Sequence, residues 1–388
     1  MFVINDYLKD LETLVNIDSN SYYPEGLTEI TSAIEKIALR MGLYVKRHKT
    51  SELSGDYLEI SNKENANRYD VIFMSHLDTV QPIGFAKEHP FSKDGDYVYG
   101  PGTCDMKAGG LCSLYTVNAL ADEIKNKLSI GLIFNCDEEI LSRYSKPFTE
   151  KIAKKSDYAF VMESTNDRGV YTTKRKGSGT YKIKFHGVPG HSGYIFDVFT
   201  ANAVVEMSRW ATELHKLNDR EKLFSVNIAI ANGGKVTNVV PDYAELSINV
   251  RVVHKDQYDL FESKLKELAE TPMVEGVTTE VEIISKNYPM LPADGMDEYL
   301  DRVKGVFASI GQKFDLYPVR GGSSDGNIIA DAGTRCIDSL GPLASGGHTP
   351  NEKVWIDDIE PCIERMKALV EEIASHKQLI GERNNTNV

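Results

Sequence analysis

Short apolar segments alternate with helical patterns in the first and last parts of this sequence, and this alternation restricts its fold more than any other feature. At about 26–41, Ile30, Ile34, Ile37 and Met41 recur at helical spacing on one face. Helices between short buried strands predict an α/β fold, a largely parallel sheet with helices on both faces. The predicted strands in these parts are 56–61, 71–76, 129–136, 157–162, 313–319 and 334–340, and the predicted helices are 26–41, 107–123, 148–155, 296–310, 324–332 and a long final helix from about 357.

The order of elements changes in the middle of the chain. The predicted order there is strand, helix, strand, strand, helix, strand, at 179–186, 199–216, 224–231, 244–253, 256–270 and 278–285. This is the ferredoxin-like split arrangement, a compact α+β unit of its own. A chain of 388 residues is long enough for two domains, because single cores stop growing at about 250–300 residues. We therefore predict one domain of 1–175 and 287–388, with a second domain, 176–286, inserted into it.

Composition and charge narrow the classes of function. With 41% hydrophobic and 26% charged residues, the chain has the composition of a folded globular protein. Its net charge of −13 argues against a nucleic-acid-binding groove or a basic membrane-binding face. The sequence shows neither a secretory leader pattern nor an apolar run of the roughly 18 residues that a transmembrane helix needs, and its five cysteines lack the spacing of a disulfide framework. These features predict a cytoplasmic protein without nucleic-acid or membrane partners.

Acidic residues and histidines follow the predicted strands where each strand ends, which is where open α/β sheets bind their ligands. The segments "SHLDTV", "GPGTCDMKAGG", "CDEE", "MES" and "GGHTPNE" supply His76, Asp78, Asp105, Glu138, Glu139, Glu163 and His348. Each residue alone has an ordinary structural explanation, such as a capped turn or a solvated helix start. Together, however, so many carboxylates and imidazoles at one rim require a cation, because an unpaired buried charge costs several kcal/mol.

Mixed imidazole and carboxylate ligands favour zinc, with cobalt or manganese as substitutes. Two histidines and three carboxylates exceed the needs of one catalytic ion. If Asp105 bridges two ions, His76 and Glu163 complete one ligand set, and Glu139 and His348 complete the other. This division predicts two Zn²⁺ per chain, about 3.5–4 Å apart.

Two further acids at this rim have predicted roles beside the metal ligands. Glu138 is free to act as the general base, because adjacent acids at a strand end can diverge and Glu139 can ligate alone. Asp78, two residues after His76, is placed to accept a hydrogen bond from the other ring nitrogen of that histidine and so to fix its tautomer.

These segments, in this order, resemble the di-zinc metallopeptidase family that includes glutamate carboxypeptidases, acetylornithine deacetylase, succinyl-diaminopimelate desuccinylase and aminoacylases. The likeness is strongest to the glutamate carboxypeptidases of carboxypeptidase G type, and "GVPGHSG", "NVVPD" and "SSDGNI" extend it over nearly the whole chain. The resemblance implies a catalytic domain with an inserted lid and dimerisation domain, a homodimer, and the ligands, base and histidine partner named above. It also implies a cis peptide bond between Asp105 and Met106, and a role for His191, from the partner subunit, in stabilising the oxyanion.

Recognition of a substrate carboxylate needs hydrogen-bond donors or cations, and a guanidinium matches a planar carboxylate. By the resemblance, Asn238 in "KVTNVVPD" and Arg251 in "INVRVV" match the lid positions that hold the terminal carboxylate of the substrate. Arg320 in "VRGGSSDG" is a further candidate. Gly346 and Gly347 are predicted to let the backbone approach the substrate beside the last metal ligand.

The chain departs from the family pattern at Tyr288 in "SKNYPML", where glutamate-releasing members carry arginine. This difference puts glutamate in doubt as the released residue. Glu163, by contrast, follows a tendency of the carboxypeptidases and deacylases, since the aminopeptidase-like members carry aspartate there.

We predict a metal-dependent hydrolase that cleaves an amide bond next to a free carboxylate, as a glutamate-carboxypeptidase-like metallopeptidase acting on a small peptide or N-acyl amino acid. In the predicted mechanism a zinc ion polarises the substrate carbonyl and Glu138 activates water. One alternative is an N-acyl-amino-acid deacylase of the acetylornithine deacetylase or succinyl-diaminopimelate desuccinylase type, which shares the catalytic groups and differs in its pockets. A more distant alternative is a non-catalytic binding or dimerisation module, which is expected to have lost a ligand or the base.

Overall fold

The structure, a computed structural model, describes residues 2–385, with side chains for residues 2–377. The helices are α1 Ile4–Val15, α2 Pro24–Arg40, α3 Phe85–Glu88, α4 Lys107–Ala119, α5 Asp122–Lys127, α6 Lys146–Ala153, α7 Ala203–His215, α8 Asp256–Glu270, α9 Met296–Ser309, α10 Asp325–Asp331 and α11 Ile359–Asn385. The strands are β1 Tyr44–His48, β2 Tyr57–Ser61, β3 Tyr69–His76, β4 Ser92–Asp94, β5 Tyr97–Tyr99, β6 Ile130–Asn135, β7 Ser156–Val161, β8 Val170–Tyr171, β9 Gly177–His186, β10 Ser225–Gly233, β11 Tyr243–Val252, β12 Thr278–Asn287, β13 Asp315–Leu316, β14 Arg335–Ile337, β15 Ala344–Ser345 and β16 Lys353–Trp355. Within this described part of the chain, no helix combines the length and the apolar character needed to cross a membrane.

The described residues divide into two compact units, each with a hydrophobic core of its own. The larger unit comprises the chain up to Lys174, then Leu291–Val319, and then the chain from Ser324 onward. The smaller unit comprises Arg175–Met290 together with the short segment Arg320–Ser323.

The main sheet of the larger unit has the strand order β1-β2-β6-β3-β7-β14. Strand β3 pairs in parallel with β6 and β7, and β14 pairs in parallel with β7. Strand β6 is buried along its whole length, as expected of a strand with helices on both faces. The prediction of a largely parallel α/β sheet is therefore confirmed. The antiparallel pairs β1–β2 and β2–β6 at one edge were not predicted.

Helix α4 is buried from Lys107 to Val117 around its whole circumference, which is typical of a helix inside a domain. It packs against β3 and β6 on one side and against α1 and α11 on the other. Gly109 allows this close packing, because a Cβ atom there would lie 1.9 Å from the carbonyl oxygen of Met162. The start of α4 is thereby fixed beside the end of β7.

Some short elements of the larger unit differ from the prediction. The strand predicted at 313–319 is reduced to the two residues of β13, which pair in parallel with β8 outside the main sheet. Helix α1 and the small sheet of order β15-β16-β5-β4 were not predicted. Strands of two or three residues are too short to show a periodic pattern.

The smaller unit follows the order β9-α7-β10-β11-α8-β12, and its antiparallel sheet has the strand order β10-β11-β9-β12. This is the ferredoxin-like arrangement. Buried side chains alternate with more exposed ones along β11, because helices cover one face of the sheet. Trp210 of α7 packs edge-on against Phe185, and Phe261 of α8 against Tyr181, with ring centroids 5.4 and 4.8 Å apart.

The parallel strands of the larger unit bring several segments to one edge of the sheet. Strand β3 ends at His76, β6 ends at Asn135, and Glu163 follows the end of β7 by two residues. Since β3 lies between β6 and β7 in the sheet, their carboxyl ends are neighbours. Asp105 lies two residues before the start of α4, whose packing on β3 and β6 holds it close to this edge.

Candidate metal centre

His76 is fully buried at the end of β3, and its two ring nitrogens have different partners. Nδ1 lies 3.0 Å from the backbone carbonyl oxygen of Asp78 and 3.4 Å from its carboxylate Oδ1. Nε2 lies 2.9 Å from Asp105 Oδ1 and 3.5 Å from Glu163 Oε1. Because Nδ1–H donates to Asp78, Nε2 is the nitrogen that faces the other two carboxylates.

Asp105 lies between the two histidines at the edge of the sheet. Its Oδ1 faces Nε2 of His76 at 2.9 Å, and its Oδ2 lies 3.1 Å from Nε2 of His348. The same nitrogen of His348 lies 3.2 Å from Glu139 Oε2. One carboxylate thus joins two groups of side chains, with His76 and Glu163 on one side and Glu139 and His348 on the other.

These distances and contacts fit metal ions. In a tetrahedral zinc site with bonds of about 2.0–2.1 Å, neighbouring ligand atoms lie roughly 3.3 Å apart, and the nitrogen–oxygen distances among these five side chains span 2.9 to 3.5 Å. Among the described residues, the buried Oε1 of Glu139 has no hydrogen-bond partner, which is costly for a carboxylate oxygen without a cation. His76, Asp105 and Glu139 each offer a ligand atom within 4.8 Å of the other two.

The crowding of these groups shifts their pKa values. Burial raises the pKa of Glu139 and raises that of Glu163 to about 7. Hydrogen bonds to Asp105 and Glu139 raise the pKa of His348 to about 10. Burial favours a higher pKa for Asp105, but hydrogen bonds from His348 and His76 outweigh it and lower the pKa of this carboxyl. Without a cation, protons on the histidines compensate the carboxylates, and a divalent ion takes over that role when it binds.

Glu138 begins the 3₁₀ turn Glu138–Ile140 that follows β6. In the part of the chain that the structure describes, no side chain or backbone group donates a hydrogen bond to its carboxylate. Burial raises its pKa well above the ordinary value, and the negative charge of Glu163 acts in the same direction. A partly buried carboxylate with a raised pKa and no hydrogen-bonded partner, next to a metal-ligand set, suits a general base.

Asp78 is fully buried and connects His76 to the turn that contains the base. Its carboxylate accepts a hydrogen bond from the Ser21 hydroxyl at 2.7 Å and from the backbone N–H groups of Glu138 at 3.2 Å and Glu139 at 3.1 Å. The sequence predicted only the contact with His76. In the structure the carbonyl oxygen of Asp78 is the closer partner of that ring, and the carboxylate mainly holds the turn.

Glu352 is a residue of this site that the sequence did not reveal. Its buried carboxylate accepts the backbone N–H groups of Cys104 at 2.8 Å and Asp105 at 2.9 Å. The next peptide bond, from Asp105 to Met106, is cis, as the resemblance implies. Burial raises the pKa of Glu352 to about 7. The available signal was its place four residues after His348, in a segment already marked as a ligand loop.

The two glycines before His348 shape the turn that carries it. Gly346 has φ of +80°, and a Cβ atom there would lie 2.6 Å from the carbonyl oxygen of Asn351. At Gly347 a Cβ atom would lie 3.7 Å from Asp105 Oδ2. The backbone of this turn therefore passes directly beside the shared carboxylate.

The predicted lid residues lie in the smaller unit, and two of them are neighbours there. His191 pairs with Val239 in a backbone bridge, and the backbone N–H of Ser192 donates to the carbonyl oxygen of Asn238 at 3.0 Å. The His191 side chain is exposed, and its Nδ1 accepts the backbone N–H of Gly193 at 3.1 Å. Nε2 therefore carries the hydrogen of the neutral ring and can donate it.

Arg251 and Arg320, the other two predicted substrate-binding residues of the smaller unit, lie in separate segments of it. Arg251 lies on β11, its Nε donates to Asn249 Oδ1 at 2.9 Å, and burial lowers its pKa. Arg320 lies in the short segment that belongs to this unit. Tyr288 directly follows β12, and Lys255 Nζ lies 4.7 Å from the centroid of its ring.

Proteins with similar sequences and structures extend over most of this chain. Carboxypeptidase G2 of Pseudomonas sp. (strain RS-16) is 28% identical over 347 residues, which cover 88% of this chain and 83% of the relative. Succinyl-diaminopimelate desuccinylase of Methylobacillus flagellatus is 29% identical over 313 residues, which cover 75% of this chain and 80% of the relative. The present chain also has the fold seen in the crystal structure of aminopeptidase PepT from Bacillus cereus. The two structures superpose with a TM-score of 0.76 at 22% identity, over 96% of this chain and 99% of the PepT chain.

A largely parallel α/β sheet whose strand ends bring together histidines and carboxylates defines a metal-dependent hydrolase. The model of Peptidase family M20/M25/M40 matches residues 72–372, a range that contains all five predicted metal ligands. The chain belongs to this peptidase family. The resemblance drawn from the sequence motifs is thereby confirmed, and the reaction is the metal-dependent hydrolysis of an amide bond.

Proposed function

We propose that this protein is a two-zinc, homodimeric carboxypeptidase that cleaves the amide bond next to a free carboxylate in a small peptide or acyl amino acid. The observation that carries the two-ion proposal is the position of Asp105, whose two oxygens face Nε2 of His76 at 2.9 Å and Nε2 of His348 at 3.1 Å. The likeness to carboxypeptidase G2 over 88% of the chain supports the carboxypeptidase type.

The chemistry of the donor set agrees with two zinc ions. His76 and Glu163 would hold one ion and Glu139 and His348 the other, with Asp105 shared, so that each ion keeps an open position. When bound, such ions polarise a carbonyl group and lower the pKa of water to about 7.

In this proposal Glu138 transfers the proton of the reaction. It takes a proton from the attacking water as the new C–O bond forms, and then delivers this proton to the leaving nitrogen as the C–N bond breaks. The absence of a hydrogen bond to its carboxylate from the described residues leaves both oxygens available for this transfer. Its raised pKa brings the base closer to neutral pH, where proton transfer in both directions is efficient.

Residues of the smaller unit complete the proposed site. His191 of the partner subunit donates its Nε2–H to the oxyanion of the tetrahedral intermediate, for which its tautomer is already set by Gly193. Asn238 and Arg251 hold the terminal carboxylate of the substrate, with Arg320 as a further donor. The backbone bridge beside His191 supports a common role, because it keeps Asn238 within the same local structure.

A deacylase that removes an acyl group from an amino acid is the second candidate. The likeness to succinyl-diaminopimelate desuccinylase over 75% of the chain favours it. Tyr288 stands where glutamate-releasing members carry arginine, which puts glutamate in doubt as the released residue. The catalytic groups are the same in both candidates, and the released product distinguishes them.

The test combines metal analysis with hydrolysis of a substrate panel. Purified protein is expected to contain about two zinc ions per chain and to cleave C-terminal dipeptides or acyl glutamates faster than N-acetylornithine or N-succinyl-diaminopimelate. Turnover restricted to the last two compounds would establish the deacylase. Protein with less than one ion per chain, or with no turnover of any compound after zinc is added, would contradict both candidates.

One substitution tests the role of the base. Glu138→Gln is expected to lower kcat by about 10²–10⁴-fold with the zinc content unchanged, because the amide cannot accept the proton. The matched control is Glu123→Gln, which makes the same change at an exposed position of α5 and is expected to retain full activity. Full activity of the Glu138→Gln protein would refute the proposed mechanism.

A further inference from the structure

The motif "SSDGNI" belongs to the resemblance, but no role follows from it for its aspartate. Asp325 is the first residue of α10, and it is only 2% exposed. Its Oδ2 accepts a hydrogen bond from the Asn135 side-chain amide at 2.8 Å, and its Oδ1 accepts one from the Ser142 hydroxyl at 2.5 Å. Asn135 and Ser142 lie 190 and 183 residues earlier in the chain, on either side of Glu138.

The segment from Asn135 to Ser142 contains two consecutive residues with an unfavourable backbone conformation. Leu141 and Ser142 have φ values of +65° and +51° in succession, a region that residues other than glycine rarely adopt. The turn is closed by backbone hydrogen bonds of 2.7 Å from Leu141 N–H to the Glu138 carbonyl oxygen and from Ser142 N–H to the Asp137 carbonyl oxygen. Such a conformation persists only where surrounding contacts hold it.

Asp325 is itself held firmly in place. The preceding residue, Ser324, caps α10 in a capping box with Asn327, and its hydroxyl oxygen accepts the backbone N–H of Gly326 at 3.0 Å. The Ser324 hydroxyl donates to the Asp338 carboxylate at 2.5 Å, just after β14. These hydrogen bonds hold the start of α10, so the carboxylate of Asp325 has a defined position between the main sheet and the turn.

We propose that Asp325 is a positioning residue for the general base, and this inference rests on the role of Glu138 in the proposed function. Asn135 lies three residues before Glu138 and Ser142 lies four residues after it. By binding both, the Asp325 carboxylate clamps the two ends of the base-bearing segment. Since the Glu138 side chain accepts no hydrogen bond from the described residues, its position depends on this backbone. Asp78, which precedes this segment in the chain, accepts the backbone N–H groups of Glu138 and Glu139 inside it.

The first test is hydrogen exchange of zinc-loaded protein together with steady-state kinetics. In Asp325→Ala, amides of residues 138–145 are expected to exchange at least about tenfold faster than in the wild type. In the same variant kcat is expected to fall about 10–100-fold, while KM changes by less than about threefold, because substrate contacts are retained. Asp325→Asn is the matched control: its oxygen still accepts from Asn135, its amide can donate to Ser142, and both exchange and kcat are expected to stay close to wild type.

A second test exchanges the amide of residue 135 and the carboxylate of residue 325, so that neither side chain is shortened to alanine. Asn135→Asp alone sets two carboxylates against each other and is expected to lower kcat as strongly as Asp325→Ala. Combined with Asp325→Asn, the amide introduced at 325 donates to the carboxylate introduced at 135, and at least about half of the wild-type kcat is expected to return. If Asp325→Ala does not fold, Ser142→Ala decides in its place, with faster exchange of residues 138–145 as the expected result.

The results separate this inference from the proposed function. If the wild-type protein hydrolyses amides and Asp325→Ala matches it in kcat and in exchange of residues 138–145, the positioning role is overturned. A uniform loss of exchange protection over the whole larger unit, with no recovery in the Asn135→Asp/Asp325→Asn protein, also overturns it, because it shows a general structural role. If the wild type hydrolyses no amide, the proposed function fails, and selective opening of 138–145 in Asp325→Ala still supports the clamp.

Discussion

Asp78 Oδ2 accepts the backbone N–H of Glu139 at 3.1 Å, although the two residues lie 61 positions apart in the sequence. The same carboxylate lies 3.4 Å from Nδ1 of His76. A predicted ligand of one ion and a predicted ligand of the other are thus aligned by one buried acid. The two halves of the centre are not independent, and a change at Asp78 reaches both.

Loss of the Asp78 carboxylate should therefore weaken metal binding and catalysis together. We expect Asp78→Ala to lower zinc affinity and kcat/KM by about 10–100-fold each, measured by competition with a chelator and by steady-state kinetics. Ser21→Ala is the matched control, because it removes one donor to this carboxylate and leaves the bonds to the turn intact. Equal zinc affinity in Asp78→Ala and wild type would contradict the shared alignment.

Removal of Asp105, the proposed shared ligand, should release more metal than removal of a ligand that binds one ion. We expect Asp105→Ala to lose both ions and His348→Ala to keep about one per chain, because His76, Asp105 and Glu163 remain. The measurement is zinc content by mass spectrometry after dialysis. His89→Ala, an exposed histidine of the larger unit, controls for loss of an imidazole, and two ions retained by Asp105→Ala would rule out the bridge.

The pKa shifts predict how metal-free protein responds to pH. The pKa of Glu163 is about 7 and that of His348 about 10 in the folded chain, above the values of about 4.3 and 6.5 for unfolded chains. The folded state therefore binds more protons, and the free energy of unfolding falls with rising pH. The contribution of Glu163 is complete below about pH 4.3 and is lost through pH 7, and that of His348 is complete below about pH 6.5 and is lost through pH 10.

Zinc should reverse this dependence, because its ligands must lose their protons to bind it. We expect the Tm in EDTA to fall between about pH 5 and pH 9, and the Tm difference between zinc and EDTA to grow over the same range. Thermal denaturation in both solutions at each pH measures this difference. A difference that does not change with pH would show that these carboxylates and imidazoles are not the ligands.

Mixed dimers can test whether His191 acts across subunits. His191→Ala and Glu138→Gln proteins are each expected to be nearly inactive, with KM little changed in the first. After the two are mixed and their subunits exchange, a site with Glu138 from one chain and His191 from the other is restored in each mixed dimer. About a quarter of the wild-type activity is expected to return. If His191 acts within its own chain, mixing should restore none.

The sequence predicted most helices and strands because their apolar spacing is long enough to identify them. It did not predict the direction of the β2–β6 pairing, because periodicity identifies a strand but not its neighbours. The segment 313–319 shows the opposite error. Its residues have strand character, yet only Asp315–Leu316 find a partner strand, in β8.

At the candidate metal centre, the sequence pointed to residues that follow strand ends and gave no sign of residues whose contacts are with the backbone. It predicted that His76 and Glu163 lie together because parallel strands carry their ends to one edge, and in the structure they lie 3.5 Å apart there. Glu352 was missed because its role is to accept two amide hydrogen bonds from a segment 247 residues away. The clamp at Asp325 was missed for the same reason, since its partners lie 183 and 190 residues away.

The main segment of the smaller unit, Arg175–Met290, begins and ends at adjacent points of the backbone. The backbones of Arg175 and Met290 form two hydrogen bonds with each other, with N–O distances of 3.2 and 3.1 Å. The two ends of this 116-residue segment are therefore in direct contact. A gene segment with such ends can be replaced in evolution by another of different content without stretching the chain on either side. In the proposed function this segment carries Asn238 and Arg251 and the larger unit carries the metal ligands, so exchange or drift of the segment would change substrate preference and leave the metal ligands in place.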